Sequence, residues 1–292
     1  MRAAYRSGMA LGFAIASMTV LVGCAQVPVV PAAAQAAPAA PAAAATPAAS
    51  AGDVDALLAS VERVAATLRD FRAAVTVETT DDITGDTERR LGKVVLSQQE
   101  GVPTSRAFAV ILEKFIDGTG RVDDRPVRYL YADGWLTEAD FRERTLIRRQ
   151  LARPGEPYDP LKPGEGPVPL PIGQRAADVR ARFEPTVSGD APPKAVVAAN
   201  ATVVGLKLVP RPGMADRDLI DATVWYDAAT FVPRAVDARR RNGRTLVLLR
   251  DPVVNGGLDD AQRSLLALAE GVTAGWRVDE RPLPPPAPER AP

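Results

Sequence analysis

Between residues 71 and 151 the chain switches repeatedly from β-branched or aromatic runs to short polar turns, and this rhythm restricts the fold more than any other feature. The runs cover 71–79, 89–99, 106–115, 127–132, 135–137 and 144–151, and turn-forming sequences at 82–86, 117–120 and Asp133-Gly134 separate them. Strands joined so closely pair antiparallel, because a parallel return needs a crossover of a dozen or more residues. Asp133-Gly134 is the sharpest hairpin signal, with the glycine supplying a positive φ. A second set follows at 201–209, 219–226, 232–240 and 244–250, and Asn242-Gly243 marks the hairpin between its last two runs. The chain therefore reads as α+β, mainly antiparallel β.

Helical spacing occurs at a few places. From Asp53, a plausible N-cap, to about Asp70, the residues Val54, Leu57, Leu58, Val61, Val64, Ala65 and Leu68 recur at steps of three and four, giving one apolar face that needs a surface to cover. A short helix is expected over 174–183, with two basic residues in its last turn suiting the helix dipole, and another over 258–269. Residues 273–281 are expected to form a final strand and 282–292 a disordered Pro-rich tail. The stretch 153–171 holds seven prolines, Pro154 to Pro171, and a loop of that length inside a compact domain is usually functional or covering.

The N-terminus carries an export signal. Arg2 and Arg6 precede an apolar run from Met9 that is too short to span a membrane as a mature helix. The sequence Leu21-Val22-Gly23-Cys24 resembles the lipobox of bacterial lipoproteins, in which the cysteine is acylated and becomes the mature N-terminus. That resemblance implies a lipid-anchored protein, and Ala25, in place of an aspartate after the cysteine, is similar to the outer-membrane pattern. The Ala- and Pro-rich residues that follow offer little to bury and read as an extended tether. The expected organisation is a signal peptide over 1–23, an acylated Cys24 and tether over 24–52, one domain over 53–281 and a tail over 282–292.

Composition removes whole classes of chemistry. There is no histidine, so Ser-His-Asp catalysis and His-ligated zinc are excluded. Cys24 is the sole cysteine, and acylation would consume it, leaving no thiol nucleophile, disulfide or thiolate metal site in the domain. Lysine and arginine number 36 against 36 acidic residues, a balance that points away from nucleic acid. Asp81, Asp82 and Asp86 lack EF-hand spacing and read as a polar turn. The pairs Asp123-Asp124 and Asp259-Asp260 read as solvated or capping groups, and the basic hairpin Arg239-Arg240-Arg241 with Arg244 as a solvated turn. No catalytic residues, metal or cofactor are expected.

In its order of elements the chain resembles the LolA/LolB superfamily of lipoprotein carriers. The residues that carry the resemblance are Tyr129-Leu130-Tyr131-Ala132-Asp133-Gly134-Trp135 and the segment from Gly164 to Gln174, continuing through Asp178-Val179 to Phe183. The resemblance implies a curved, unclosed antiparallel barrel with helices across its open side and an apolar cavity that shelters acyl chains. LolB's exposed apolar loop has no evident counterpart here, and the chain is longer than either carrier.

Candidate ligand-contacting residues are Tyr129, Tyr131, Trp135 and Trp225 at the cavity wall or mouth, where a ring meets lipid and its polar edge meets water. Phe108 and Val110 are expected on one strand face with Leu112, and Ile111 and Phe115 on the other. Leu57, Leu58 and Val61 join the candidates on the first helix. The expected function is a lipid-anchored periplasmic carrier or binding protein of the outer membrane, with acyl chains or lipoproteins as ligand. The alternative is a non-catalytic envelope lipoprotein on the same scaffold, with a filled interior and a protein partner along the sheet edge.

Overall fold

The computed structural model describes residues 51–99, 102–153, 156, 172, 174–213 and 218–284. The leader, Cys24, the tether to residue 50, most of the Pro-rich stretch and the tail from residue 285 lie outside the described residues. Among the described residues, twelve strands form one sheet. The first half comprises β1 (Asp70–Asp81), β2 (Thr87–Gln99), β3 (Val102–Ile116), β4 (Val122–Ala132), β5 (Trp135–Asp140) and β6 (Thr145–Gln150). The second comprises β7 (Phe183–Val187), β8 (Val203–Pro210), β9 (Leu219–Asp227), β10 (Pro233–Arg240), β11 (Gly243–Val254) and β12 (Arg277–Arg281). The spatial order β12-β6-β5-β4-β3-β2-β1-β11-β10-β9-β8-β7 shows two meanders joined where β1 meets β11. Among the described residues the sheet is unclosed and mostly antiparallel, with β12 and β7 at its two ends.

Alternation along each strand gives the sheet two faces. Phe71, Ala73 and Val75 of β1, Val94 and Leu96 of β2, Phe108, Val110 and Leu112 of β3, and Val247 and Leu249 of β11 share one core cluster on the inner face. Helix α1 (Ala51–Ala66) covers that face, contributing Val54, Leu57, Leu58 and Val61 to the same cluster. It touches β7 and α2 (Ala176–Arg182), and Arg180 of α2 pairs with Asp55. Helix α1 begins two residues before Asp53, which lies in its first turn rather than at its cap. The link from α1 to β1 is clamped: the N–H groups of Arg69 and Asp70 donate to Asn255 Oδ1 at 2.7 and 3.3 Å. Asn255 Nδ2 donates to the Thr67 carbonyl at 2.8 Å, and Gln98 Nε2 to that of Leu68 at 2.7 Å.

The outer face is covered in two places. Helix α3 (Lys194–Ala198), absent from the sequence expectations along with β7, packs Val196 on Trp225 and Ala235. Beyond β11, the chain crosses Ala109, Ile111 and Leu130 with Leu265, Leu266 and Leu268. Only Asp260–Ser264 of this segment is helical, as α4, where a helix over 258–269 was expected. A capping box between Asp259 and Gln262 starts it, and turns follow. Trp276 meets Phe141 edge to face at 5.0 Å, and β12 then pairs with β6 in parallel, the one departure from antiparallel order.

Candidate functional site

The inner face changes character from one end of the strands to the other. Under α1 it is apolar and closed. A gap bounded by Val61, Leu68, Phe71, Tyr226, Phe231 and Val254 measures about 10 Å³, close to the space of a single water. Tyr226 is 2% exposed, and burial pushes its hydroxyl above the ordinary tyrosine range.

Towards the opposite end, on β2 to β5, the inner face turns polar. Arg90, Asp123, Arg125 and Glu138 supply the polar groups, and a bulge sets an aromatic ring among them. Gly92 pairs with Leu112, but Leu91 pairs with Lys114, so Glu113 is an extra residue in β3. The shift carries Phe115 to the same face as Leu112, directly opposite Arg90 and Asp123, instead of the outer face expected from simple alternation. A Cβ on Gly92 would stand 1.8 Å from the Ile111 carbonyl oxygen, so the bulge requires glycine. The Arg90 and Arg125 guanidiniums lie 5.3 and 4.3 Å from the Phe115 ring centre. Tyr129, half-buried, follows on β4 and stands opposite Glu138 across the β4–β5 pair. Burial first, then the Glu138 carboxylate, raises its pKa.

The predicted residues divide between the faces. Leu57, Leu58, Val61, Phe108, Val110 and Tyr131 come together in the inner core, with Tyr129 packed at its margin. Phe108 and Tyr131 stack with ring centres 5.8 Å apart. Trp225 does not join them: Val224 and Tyr226 point inward, so Trp225 faces outward, over Gly205 and against Val196. Trp135 pairs with Ala132 while its neighbour Leu136 lies in the inner core with Tyr131, so it too faces outward, beneath the Arg148 guanidinium at 4.8 Å. Cys24 lies outside the described residues. Residues that the sequence alone did not single out are Tyr226, Arg90 and Arg125, while Phe115, expected on the outer face, lies on the inner one. Parity along β9 points to the first, but 219–226 lacks the polar alternation that would reveal it.

The other charged groups named from sequence are engaged structurally. Asp81 accepts from the N–H groups of Ile83 and Thr84 in its hairpin turn. Arg239 pairs with Asp221, and Arg244 with Asp237. Asp221 is buried, and the Arg239 hydrogen bond holds its carboxyl below the usual range. Among the described residues no three His, Cys, Asp or Glu side chains gather as a metal site.

No protein-family model matches this chain, and no curated protein matches it. Solved structures do. An uncharacterised conserved protein from Thermus thermophilus is 12% identical, with a TM-score of 0.43 over 78% of this chain and 99% of its own. A putative outer membrane lipoprotein-sorting protein domain from Vibrio parahaemolyticus is 11% identical, with a TM-score of 0.33 over 75% of this chain and 100% of its own. A LolA superfamily protein from Nitrosomonas europaea is 11% identical, with a TM-score of 0.30 over 71% and 96% of the two chains. At such identity the likeness concerns fold alone.

Proposed function

We propose that this chain is a lipid-anchored periplasmic binding or carrier protein of the outer membrane, which holds acyl chains between the inner face of its sheet and α1. The observation that carries the reading is the apolar inner face, continuous from β5 to β8 and roofed chiefly by the amphipathic α1, with Val179 of α2 and Ile172 beside it. A helix that covers a sheet through apolar side chains can be exchanged for acyl chains, because both present the same chemistry to the strands. The gap of about 10 Å³ holds no acyl chain, so binding requires α1 to move away from the sheet. Cys24 and the tether supply the anchor in this reading, and the absence of histidine leaves the Ser-His and Cys-His nucleophile–base pairs unavailable.

The small gap also favours a second reading, a non-catalytic envelope lipoprotein whose interior stays filled. A partner docking along the sheet edge has little to use, however. Pro185 interrupts β7, and β12 reads Arg-Val-Asp-Glu-Arg.

Native mass spectrometry of the full-length chain, purified from an envelope-bearing host, tests the proposal. Co-purified phospholipid or acylated peptide, displaced by a fluorescent fatty acid, is the expected result. A lipid-free protein that refuses the fluorescent probe sinks the carrier reading in favour of the filled interior.

A further inference from the structure

The polar end of the inner face has a use that an acyl cavity alone does not require. Arg90 and Arg125 both lie on Phe115, which places their guanidiniums within about 10 Å of one another at the margin of the apolar core. The nearby carboxylates are largely occupied. Asp123 lies between Arg121 at 3.2 Å and Arg125 at 3.4 Å. Glu138 stands opposite Tyr129 in the β4–β5 pair, and Asp140 accepts the N–H groups of Arg142 and Glu143, each at 2.9 Å. Glu88, next along the same face, stands at the exposed start of β2. Among the described residues Arg90 has no carboxylate within ion-pair distance, and Arg125 Nε is buried without a hydrogen-bond partner. Planar guanidiniums with uncommitted N–H groups match the oxygens of a phosphate, and stacking on an aromatic ring fixes their orientation.

We infer that Arg90 and Arg125 receive the phosphodiester headgroup of a phospholipid whose acyl chains enter beneath α1. The inference rests on the carrier reading and narrows it from acyl chains in general to phosphate-bearing ones. Val127, on the same face of β4 between Arg125 and Tyr129, continues the apolar surface from headgroup to chain region. A ligand lying along the strands would meet arginine first and the Phe108, Val110 and Tyr131 surface next.

Calorimetric titration of the full-length chain, carried in a non-ionic amphipol, tests this with four soluble probes. They are dihexanoyl-phosphatidylglycerol, dihexanoyl-phosphatidylethanolamine, dihexanoylglycerol and inorganic phosphate. Both phospholipids are expected to bind about tenfold or more tighter than dihexanoylglycerol, the scale of hydrogen bonds to a charged group. The R90Q/R125Q pair should bring that ratio close to one. Equal affinity of the three lipids overturns the headgroup site while leaving the acyl cavity standing, whereas binding of none of them removes the cavity and this inference together. Inorganic phosphate binding as tightly as the phospholipids overturns the lipid assignment in favour of a free-anion site. An R90Q/R125Q protein that folds and keeps the wild-type ratio also overturns it. Should that pair fail to melt cooperatively, R90K/R125K serves instead: it keeps the charge and loses the planar fork, so a reduced ratio supports the site and an unchanged one counts against it.

Discussion

Tyr226 sits in the inner core beside the small gap under α1. No described residue accepts a hydrogen bond from its hydroxyl, and the gap beside it has room for about one water. Tyr226→Phe should therefore alter stability by less than about 1 kcal/mol in denaturant unfolding, since no protein partner is orphaned. A loss several times larger would reveal a partner outside the described residues. Gly92→Ala should do far more harm, at least about 2 kcal/mol, because the new Cβ meets the Ile111 backbone at 1.8 Å and the bulge cannot relax without breaking β3 pairing. Wild-type-like unfolding of that variant would disprove the tight approach. Asp221 gives a pH prediction. Its folded pKa lies below the ordinary value of 3.8 because Arg239 binds the charged form, so the unfolded chain takes up its proton first as acid is added. The stabilisation is complete above the ordinary value and disappears as pH falls through the folded one. Asp221→Asn should lower the melting temperature at pH 7 and flatten its decline below about pH 4; an unchanged acid limb refutes the assignment.

At the scale of elements, α1 is held unequally. Its C-terminal link is fixed through Asn255 and Gln98, whereas its N-terminal half relies on apolar contacts and the exposed Asp55–Arg180 pair, a kind worth about 0–1 kcal/mol. Hydrogen exchange should be faster in 51–60 than in β1 to β3, and faster still once acyl ligand takes the place of α1 on the sheet; exchange as slow as that of the central strands without ligand would argue against a movable roof. Much of this architecture was legible in the sequence. The period of three and four identified the covering face of α1, and the turn residues located the strands of both meanders. What escaped was set by single-residue offsets or by distant partners. The apolar run around Trp225 has no polar beat to say which neighbour faces inward. The extra Glu113 reverses Phe115, and nothing local to 277–281 specifies a parallel partner at 145–149. Pro185 likewise concealed β7, because proline argues against a strand except at an edge.

For the whole molecule, both sheet edges are short and poor templates, and that predicts a protein that does not grow by strand addition. Pro185→Val should restore the missing edge donor and promote concentration-dependent association in sedimentation; a monomer at all concentrations would show that the edge is protected by other means. The position of β1 has a further consequence. It lies in the middle of the sheet between β2 and β11, and Val77 pairs with both Arg90 and Val247. Its first partner follows almost at once along the chain, while its second arrives only near the end. As the polypeptide emerges from its N-terminus, the first meander can assemble early but carries β1 as an unpaired flank until β11 appears. Completion is thus a late, non-local event, and folding should be slow for a chain of this size. The vulnerable species during folding is a half-sheet with a long sticky margin, which makes the interval before β11 arrives the time when a chaperone matters most.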